Sequence, residues 1–363
     1  MYVSLNSGHH RASQGIEQAI LQVSPEARLS SINALHYTHP LLEPLIRKSY
    51  FSLLRHWPKA WDYIYDHPTV VRRTLPLTHL VYRLDSSKFK SLLESFRPGV
   101  VVCTQAFPCG MVADYKRRTR LELPLVAVLT DYQAHSYWIH PDVDYYVVAT
   151  ETARERLRAK GIAQEKILVY GIPVDPRFCL HGNREQRLQK LGLSGEIPTL
   201  LLMGGSCGFG PMEDLITEID HSELKVQLLV VCGKNEKLFD RLSKRATVLR
   251  KTTRIFGFID TVDELMEVST CLITKPGGLT IAEALAKGLP MILWNPIGGQ
   301  ETANTEFLVR DGIAQKAEGV KDTLSLLHEL LNHPERLREM RKAAERQGRP
   351  ASALELARHL ISL

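Results

Sequence analysis

No run of about 18 consecutive apolar residues occurs in the 363-residue chain, so nothing in it reads as a membrane-crossing helix. No Cys-x-x-Cys pair occurs either. The cysteines, Cys103, Cys109, Cys179, Cys207, Cys232 and Cys271, are far apart and mostly sit in apolar segments. That spacing argues against a zinc site or a disulfide framework and for reduced, buried thiols in a cytosolic protein. The first residues do not read as a secretory leader, since they run directly into the polar GHHRASQ segment. Low-complexity tracts and sequence repeats are absent. Charge of one sign is not in great excess. A net charge of +6 and a pI of about 8.9 suit an anionic surface, a nucleotide or a nucleic acid alike, and no recognised nucleic-acid module accompanies them. Two phosphate motifs are missing as well. The glycine-rich segment MGGSCGFGPMEDL lacks the GK[ST] of a Walker A loop, and the third glycine of a GxGxxG fingerprint would fall on Glu213.

What the chain does have is alternation. Apolar runs near residues 100–103, 123–129, 145–149 and 167–170 alternate with helix-like stretches such as 86–96 and 150–160. The pattern resumes with runs at 199–203, 226–232, 254–258, 271–274 and 290–294. Continuous apolar strands separated by helices predict an α/β fold of two Rossmann-like domains, each a doubly wound parallel sheet covered on both faces. The seam falls within 171–198, where GIPVDPRF, a short charged helix and SGEIP break the alternation. The expected domains are therefore 1–173 and 174–347, with 348–363 as a C-terminal helix crossing back to the first. Ligands of such sheets bind outside the carboxyl ends of the strands, so two facing domains predict a cleft between them.

The most specific string is TKPGGLTIAEALAKGLPMILWNPIGGQETAN at 274–304, which reads as strand, glycine turn, helix, strand. Gly277 and Gly278 let backbone N–H groups approach an anion, and a helix opening at Thr280 adds roughly half a positive charge behind them. A phosphate fits there. Glu283 follows about one helical turn later, close enough for its carboxylate to accept hydrogen bonds from both hydroxyls of a ribose. Beyond the second strand, Gln300, Glu301 and Asn304 supply amide and carboxylate groups suited to a polyol. A Gly-Gly turn before a helix also serves packing alone, so the whole string carries the reading.

The N-terminal half has its own constellations. NSGHHRASQGIEQAI puts Gly8 and His9 at the mouth of a helix after a short strand, a place where a histidine also serves as a cap or a solvent group. Asp131 follows the apolar run LVAVL at the end of a strand, where an aspartate also caps helices. Two metal readings stand beside these: Asp142-Val143-Asp144 spells DxD, and Asp131, His135 and His140 have ligand chemistry. In segment 40–65, Leu42, Leu45, Ile46, Ser49 and Leu53 follow helical spacing, Arg47, Lys48, Arg55 and Lys59 add cations, and Trp57, Trp61, Tyr63 and Tyr65 suit a headgroup boundary. This predicts an interfacial helix, although a helix packed on the first domain's sheet would show the same stripe.

Together the motifs resemble the GT-B glycosyltransferase family of monogalactosyldiacylglycerol synthases and processive diacylglycerol glucosyltransferases, more distantly related to the N-acetylglucosaminyltransferase that forms lipid II. The GGxTxAEAL-to-GQExxN string matches the family's UDP-sugar signature. The G-x-G-H pattern matches at Gly8 and His9, with Asn6 in place of the first glycine. The segment T-D-[FY]-x-x-H-x-x-W-x-H-P-x-V-D-x-Y-x-V matches residues 130–148.

The resemblance implies an inverting transferase that moves a hexose from a UDP-sugar to a membrane lipid, diacylglycerol foremost, in glycolipid biosynthesis. It implies that Gly277, Gly278 and Thr280, with a second loop at Gly205 and Ser206, hold the diphosphate. Glu283 takes the ribose, Gln300, Glu301 and Asn304 the hexose, and Phe258 and Ile259 the uracil edge. His9 is the implied base, with Asp131 orienting it or acting as base itself, and His10 replaces His9 if the register shifts by one. Leu45, Trp57 and Trp61 become the acceptor and membrane contact. The resemblance calls for no cofactor and no metal, since the glycine loop and helix dipole neutralise the leaving diphosphate. It implies a cytoplasmic protein peripherally bound to an anionic membrane, with no nucleic-acid partner. Relatives carry several more residues before the first loop, so an upstream start codon is expected. A nucleotide-sugar epimerase on the same fold and a non-catalytic UDP-sugar-binding partner subunit remain as other readings, and the donor hexose stays open among glucose, galactose and N-acetylglucosamine.

Overall fold

The computed structural model describes residues 1–3, 7–41, 43, 86–208, 210–294 and 299–363. Asn6, Leu45, Trp57, Trp61 and most of segment 40–65 lie outside the described residues. The described residues form two compact units, one drawn from 1–176, 297–303 and 351–363, the other from 177–296 and 304–350.

The first unit runs through α1 (Gly8–Val23), α2 (Ala34–Thr38), α3 (Ser86–Phe96), β1 (Val101–Cys103), α4 (Ala106–Thr119), β2 (Leu125–Val128), β3 (Tyr145–Val147), α5 (Glu151–Ala159) and β4 (Ile167–Leu168). Its strands pair in the order β1-β2-β3-β4, all parallel. Beyond β1 the ladder continues through the start of the chain: the Met1 ammonium donates to the Val102 carbonyl, and the Thr104 N–H donates to the Met1 carbonyl at 3.0 Å. Tyr2 in turn bridges Asn33 in parallel. The order of connection therefore reverses between Met1–Tyr2 and β1. That reversal is a topological switch point, where parallel sheets open a crevice for ligands.

Side-chain alternation explains why both faces are covered. Val101, Cys103, Leu125, Ala127 and Tyr146 point into a core with Phe89 and Leu93 of α3, Val112 of α4 and Leu157 of α5. Val126, Val128 and Val147 point the other way, onto Ile16 of α1 and onto Leu356 and Leu360 of the last helix (Ser352–Ser362). Ala19 of α1 packs on Ala353 and Ala357 of that helix, so small residues let the two approach closely.

The second unit contains α6 (Arg184–Leu191), β5 (Thr199–Met203), α7 (Met212–His221), β6 (Gln227–Val231), α8 (Glu236–Ala246), β7 (Thr253–Phe256), α9 (Val262–Val268), β8 (Cys271–Thr274), α10 (Gly278–Ala286), β9 (Met291–Trp294), α11 (Gln300–Arg310), which straddles the unit boundary, β10 (Ala314–Ala317), α12 (Val320–Asn332) and α13 (Pro334–Gln347). The last helix of the chain is α14 (Ser352–Ser362). The sheet order is β10-β9-β8-β5-β6-β7, all parallel, so its switch point lies between β5 and β8. Residues on both faces of β5, β6 and β8 are buried, as the unbroken apolar runs require. Cys103, Cys109, Cys179, Cys232 and Cys271 are free, and burial pushes the Cys232 and Cys271 thiols up to about 11 and about 12, leaving them protonated at neutral pH. Among the described residues no helix is long and apolar enough to cross a membrane.

Candidate functional site

At the switch point of the first unit, the Ser7 hydroxyl caps α1 by accepting from the His10 N–H at 3.3 Å, which places Gly8 and His9 in the helix's opening turn. His9 reaches across to the loops that leave β1 and β2. Its Nδ1 lies 2.8 Å from the Thr104 carbonyl and 2.8 Å from the Thr130 hydroxyl, and the Thr104 hydroxyl donates to the His9 carbonyl at 2.8 Å. Burial lowers the pKa of His9 below its ordinary 6.5, while the Thr104 carbonyl acts in the opposite direction. Although the residue keeps some exposed surface, the ring's surroundings favour neutral imidazole, the form that can accept a proton.

His10 points elsewhere, with its ring 4.4 Å from that of Tyr2. Asp131 is buried directly after Thr130, on the loop that contacts His9. The DxD motif has structural work: the Asp144 carboxylate takes the Lys116 ammonium at 2.5 Å and the Leu125 N–H at 2.7 Å, fixing the start of β2. His140 is also held within its turn, donating its backbone N–H to the Tyr146 hydroxyl at 3.1 Å while its ring Nε2 lies 3.1 Å from the Tyr137 carbonyl. Among the described residues no group of three or more His, Cys, Asp or Glu side chains is arranged to hold a metal.

At the switch point of the second unit, two glycine loops converge. The loop after β5 turns through Gly205 at φ +68° and Gly208 at φ +61°. A side chain on Gly208 would meet the Cys232 carbonyl oxygen at 2.6 Å, and one on Gly233 would meet the Gly205 and Ser206 carbonyl oxygens at 2.7 Å. Backbone therefore packs on backbone here, and glycine is required for both space and conformation. The Lys234 N–H donates to the Ser206 carbonyl at 2.9 Å, tying this loop to the end of β6.

The loop after β8 is anchored by the Thr274 hydroxyl, which donates to the Met203 carbonyl at 2.9 Å and so joins the ends of β8 and β5. Gly277 is the N-cap of α10, which begins at Gly278. Thr280 thus lies in the first turn instead of opening the helix, because glycine backbone makes the turn. Glu283 is half-buried in the following turn. Between the loops lies Lys275, whose stem comes within 2.8 Å of the Cβ position of Gly205 and whose ammonium lies 3.7 Å from that of Gly277. Gly205 leaves the room this lysine's stem occupies.

Gln300 and Glu301 form the first turn of α11 and are half-buried. Asn304, one turn on, is fully buried and its amide donates to the Pro276 carbonyl at 3.1 Å, bracing the glycine turn. Phe258, 41% exposed just beyond β7, has the Lys234 ammonium 5.4 Å from its ring centroid, and Ile259 beside it is half-buried. Sequence reasoning passed over Thr104, Thr130, Lys275 and Lys234. Thr130 and Lys275 each lie within a quoted motif but were given no role, whereas the contacts of Thr104 become visible only when β1 and α1 are brought together.

The monogalactosyldiacylglycerol (MGDG) synthase family matches residues 9–174, and the glycosyltransferase family 28 C-terminal domain matches residues 199–356. A processive diacylglycerol beta-glucosyltransferase of Bacillus cytotoxicus is 30% identical over 98% of this chain and 90% of its own length. The crystal structure of Acinetobacter baumannii MurG, a GT-B glycosyltransferase, matches with a TM-score of 0.59 at 16% identity, covering 77% of this chain and 78% of that one. A Neisseria meningitidis UDP-GlcNAc 2-epimerase bound to UDP-GlcNAc matches with a TM-score of 0.58 at 13% identity, covering 78% and 82%. These two structures establish the GT-B fold. They are equally near, so the fold does not choose between transfer and epimerisation.

Proposed function

This chain belongs to the processive diacylglycerol β-glucosyltransferase family, and from that membership we propose that it transfers a hexose, glucose foremost, from a UDP-sugar to diacylglycerol with inversion at the anomeric carbon. The observation that carries the reading is the convergence at the second unit's switch point of two glycine loops, the N-terminus of α10 and the Lys275 ammonium. Backbone N–H groups, a helix dipole and a cation suit a diphosphate, and Glu283 one turn along α10 suits the ribose above it. Asn304 supports this arrangement by bracing Pro276, while Gln300 and Glu301 address the hexose. Phe258 and Ile259 lie by the uracil.

In this reading the acceptor hydroxyl attacks the anomeric carbon from the face opposite UDP and gives its proton to His9 Nε2. The bond from that carbon to the β-phosphate oxygen breaks, and UDP leaves with the electron pair. Charge developing on the diphosphate is stabilised by the two glycine loops and Lys275, the kind of preorganised electrostatics that dominates many transfer reactions. Asp131, next to Thr130, orders the acceptor side of the same step. The chain works at the surface of an anionic membrane, where segment 40–65 supplies apolar, aromatic and basic side chains.

A screen of UDP-glucose, UDP-galactose and UDP-N-acetylglucosamine against vesicles containing diacylglycerol, read by mass, tests the proposal. Hexosyl-diacylglycerol from UDP-glucose is the expected product. An isomerised UDP-sugar formed without acceptor would replace this reading with the epimerase.

A further inference from the structure

A histidine acting as a base must keep one ring nitrogen unprotonated, and the partner of the other nitrogen decides which. In His9 that other nitrogen is Nδ1, 2.8 Å from the Thr104 carbonyl and 2.8 Å from the Thr130 hydroxyl. A carbonyl only accepts, so the hydrogen resides on Nδ1 and the lone pair on Nε2. The Thr130 oxygen then shares that hydrogen as a second acceptor. Thr130 is 4% exposed and Thr104 is 1% exposed, so neither oxygen is replaced by bulk water. The Thr104 hydroxyl also holds the His9 carbonyl, which fixes the residue at both its backbone and its ring.

We propose that Thr130 is a positioning residue for His9, its hydroxyl and the Thr104 carbonyl forming a neutral clamp that holds the Nδ1–H tautomer and steadies the imidazolium formed in transfer. This rests on the reading of His9 as the base. When the acceptor O–H gives its proton to Nε2, the ring carries N–H at both nitrogens and a positive charge, and Nδ1–H donates more strongly to both threonine oxygens. The proton passes to solvent after UDP and product depart, restoring the neutral ring. Catalytic histidines are often backed by a carboxylate, which raises the imidazole pKa; a neutral clamp leaves the base deprotonated to lower pH. Titratable groups on the adjoining elements include His10, Arg11 and Glu17 on α1, the Met1 ammonium and Cys103 beside Thr104, Cys109 on α4, and Asp131 and Tyr132 after Thr130. Among the described residues, burial and the Thr104 carbonyl account for the shift of His9, with no charged group contributing.

A buried threonine after a strand could serve packing alone, and the isosteric Thr130→Val separates the two roles. With the clamp, Thr130→Val lowers kcat by about 10- to 100-fold, as loss of a hydrogen bond to a charged group does, while donor KM and UDP affinity hold and Thr130→Ser restores most of the rate. Full kcat in a folded Thr130→Val, alongside a large loss in His9→Ala, would overturn the clamp and leave His9 as the base. Undiminished activity in His9→Ala would overturn the base reading and the clamp with it. Should Thr130→Val not fold, nitrogen NMR of His9 in the unaltered protein near neutral pH decides: the Nδ1–H tautomer supports the clamp and the Nε2–H tautomer overturns it.

Discussion

At the scale of single residues, His9 is distinguished from its neighbour by where its ring goes. His9 contacts the loops after β1 and β2, whereas the His10 ring lies against Tyr2. His9→Ala should therefore lower turnover by roughly 10²- to 10⁴-fold with UDP affinity intact, and His10→Ala should have a mild effect; the reverse pattern in steady-state kinetics would move the base to His10. The pH profile gives a second check. The reaction needs neutral imidazole, and burial shifts the His9 equilibrium toward that form. The acid limb of kcat/KM should thus be flat through the ordinary histidine pKa of about 6.5 and fall only below it; a midpoint above it would indicate a carboxylate behind the ring. On the donor side, Glu283→Ala should weaken UDP binding by about 1.5–3 kcal/mol in calorimetry, the value of hydrogen bonds to a charged group. Lys275→Met keeps the stem and removes the charge, so it should weaken UDP but not uridine. Equal loss for both ligands would place the lysine's role in loop packing.

At the scale of elements, the loop after β5 works because its glycines permit two backbones to touch. Gly233 and Gly312 both have positive φ, but a side chain on Gly312 would meet nothing within 4 Å whereas one on Gly233 would strike carbonyl oxygens at 2.7 Å. Gly312→Ala should cost about 1–2 kcal/mol for conformation alone and spare UDP binding. Gly233→Ala should cost more in thermal unfolding and weaken UDP; unchanged UDP affinity would separate this loop from the donor. Strands such as β5 and β8 were legible in sequence because they are buried on both faces and read as unbroken apolar runs. β10, with the sequence AQKA, was not, since an edge strand with two buried positions carries little pattern. The start of α10 was read two residues late because Thr280 looks like a cap, whereas Gly277 fills that place. The candidate site residues were named from their motifs together with the family resemblance. The Thr104 and Thr130 contacts to His9 were not legible, because they join positions 95 and 121 residues apart and arise only when the sheet brings the loops together. Lys275 lay within the quoted string but was given no role, because its place beside the two glycine loops appears only in the fold.

At the scale of the whole molecule, the reading requires a chain without a membrane-crossing helix among its described residues to act on a lipid. Segment 40–65 is the proposed contact, combining an apolar stripe with Arg47, Lys48, Arg55 and Lys59. Sedimentation with anionic vesicles should fall as salt rises, and a folded variant carrying Leu45→Asp, Trp57→Ala and Lys48→Glu should sediment much less than the unaltered protein. Equal sedimentation would remove the segment from this role. The central claim, inverting transfer to a lipid, is tested most directly by proton NMR of the products formed from UDP-glucose and diacylglycerol vesicles. Inverting transfer predicts β-linked glucosyl-diacylglycerol carrying one glucosyl residue for each UDP released; an α-linked lipid, or UDP-glucose consumed with no glycolipid formed, would contradict it.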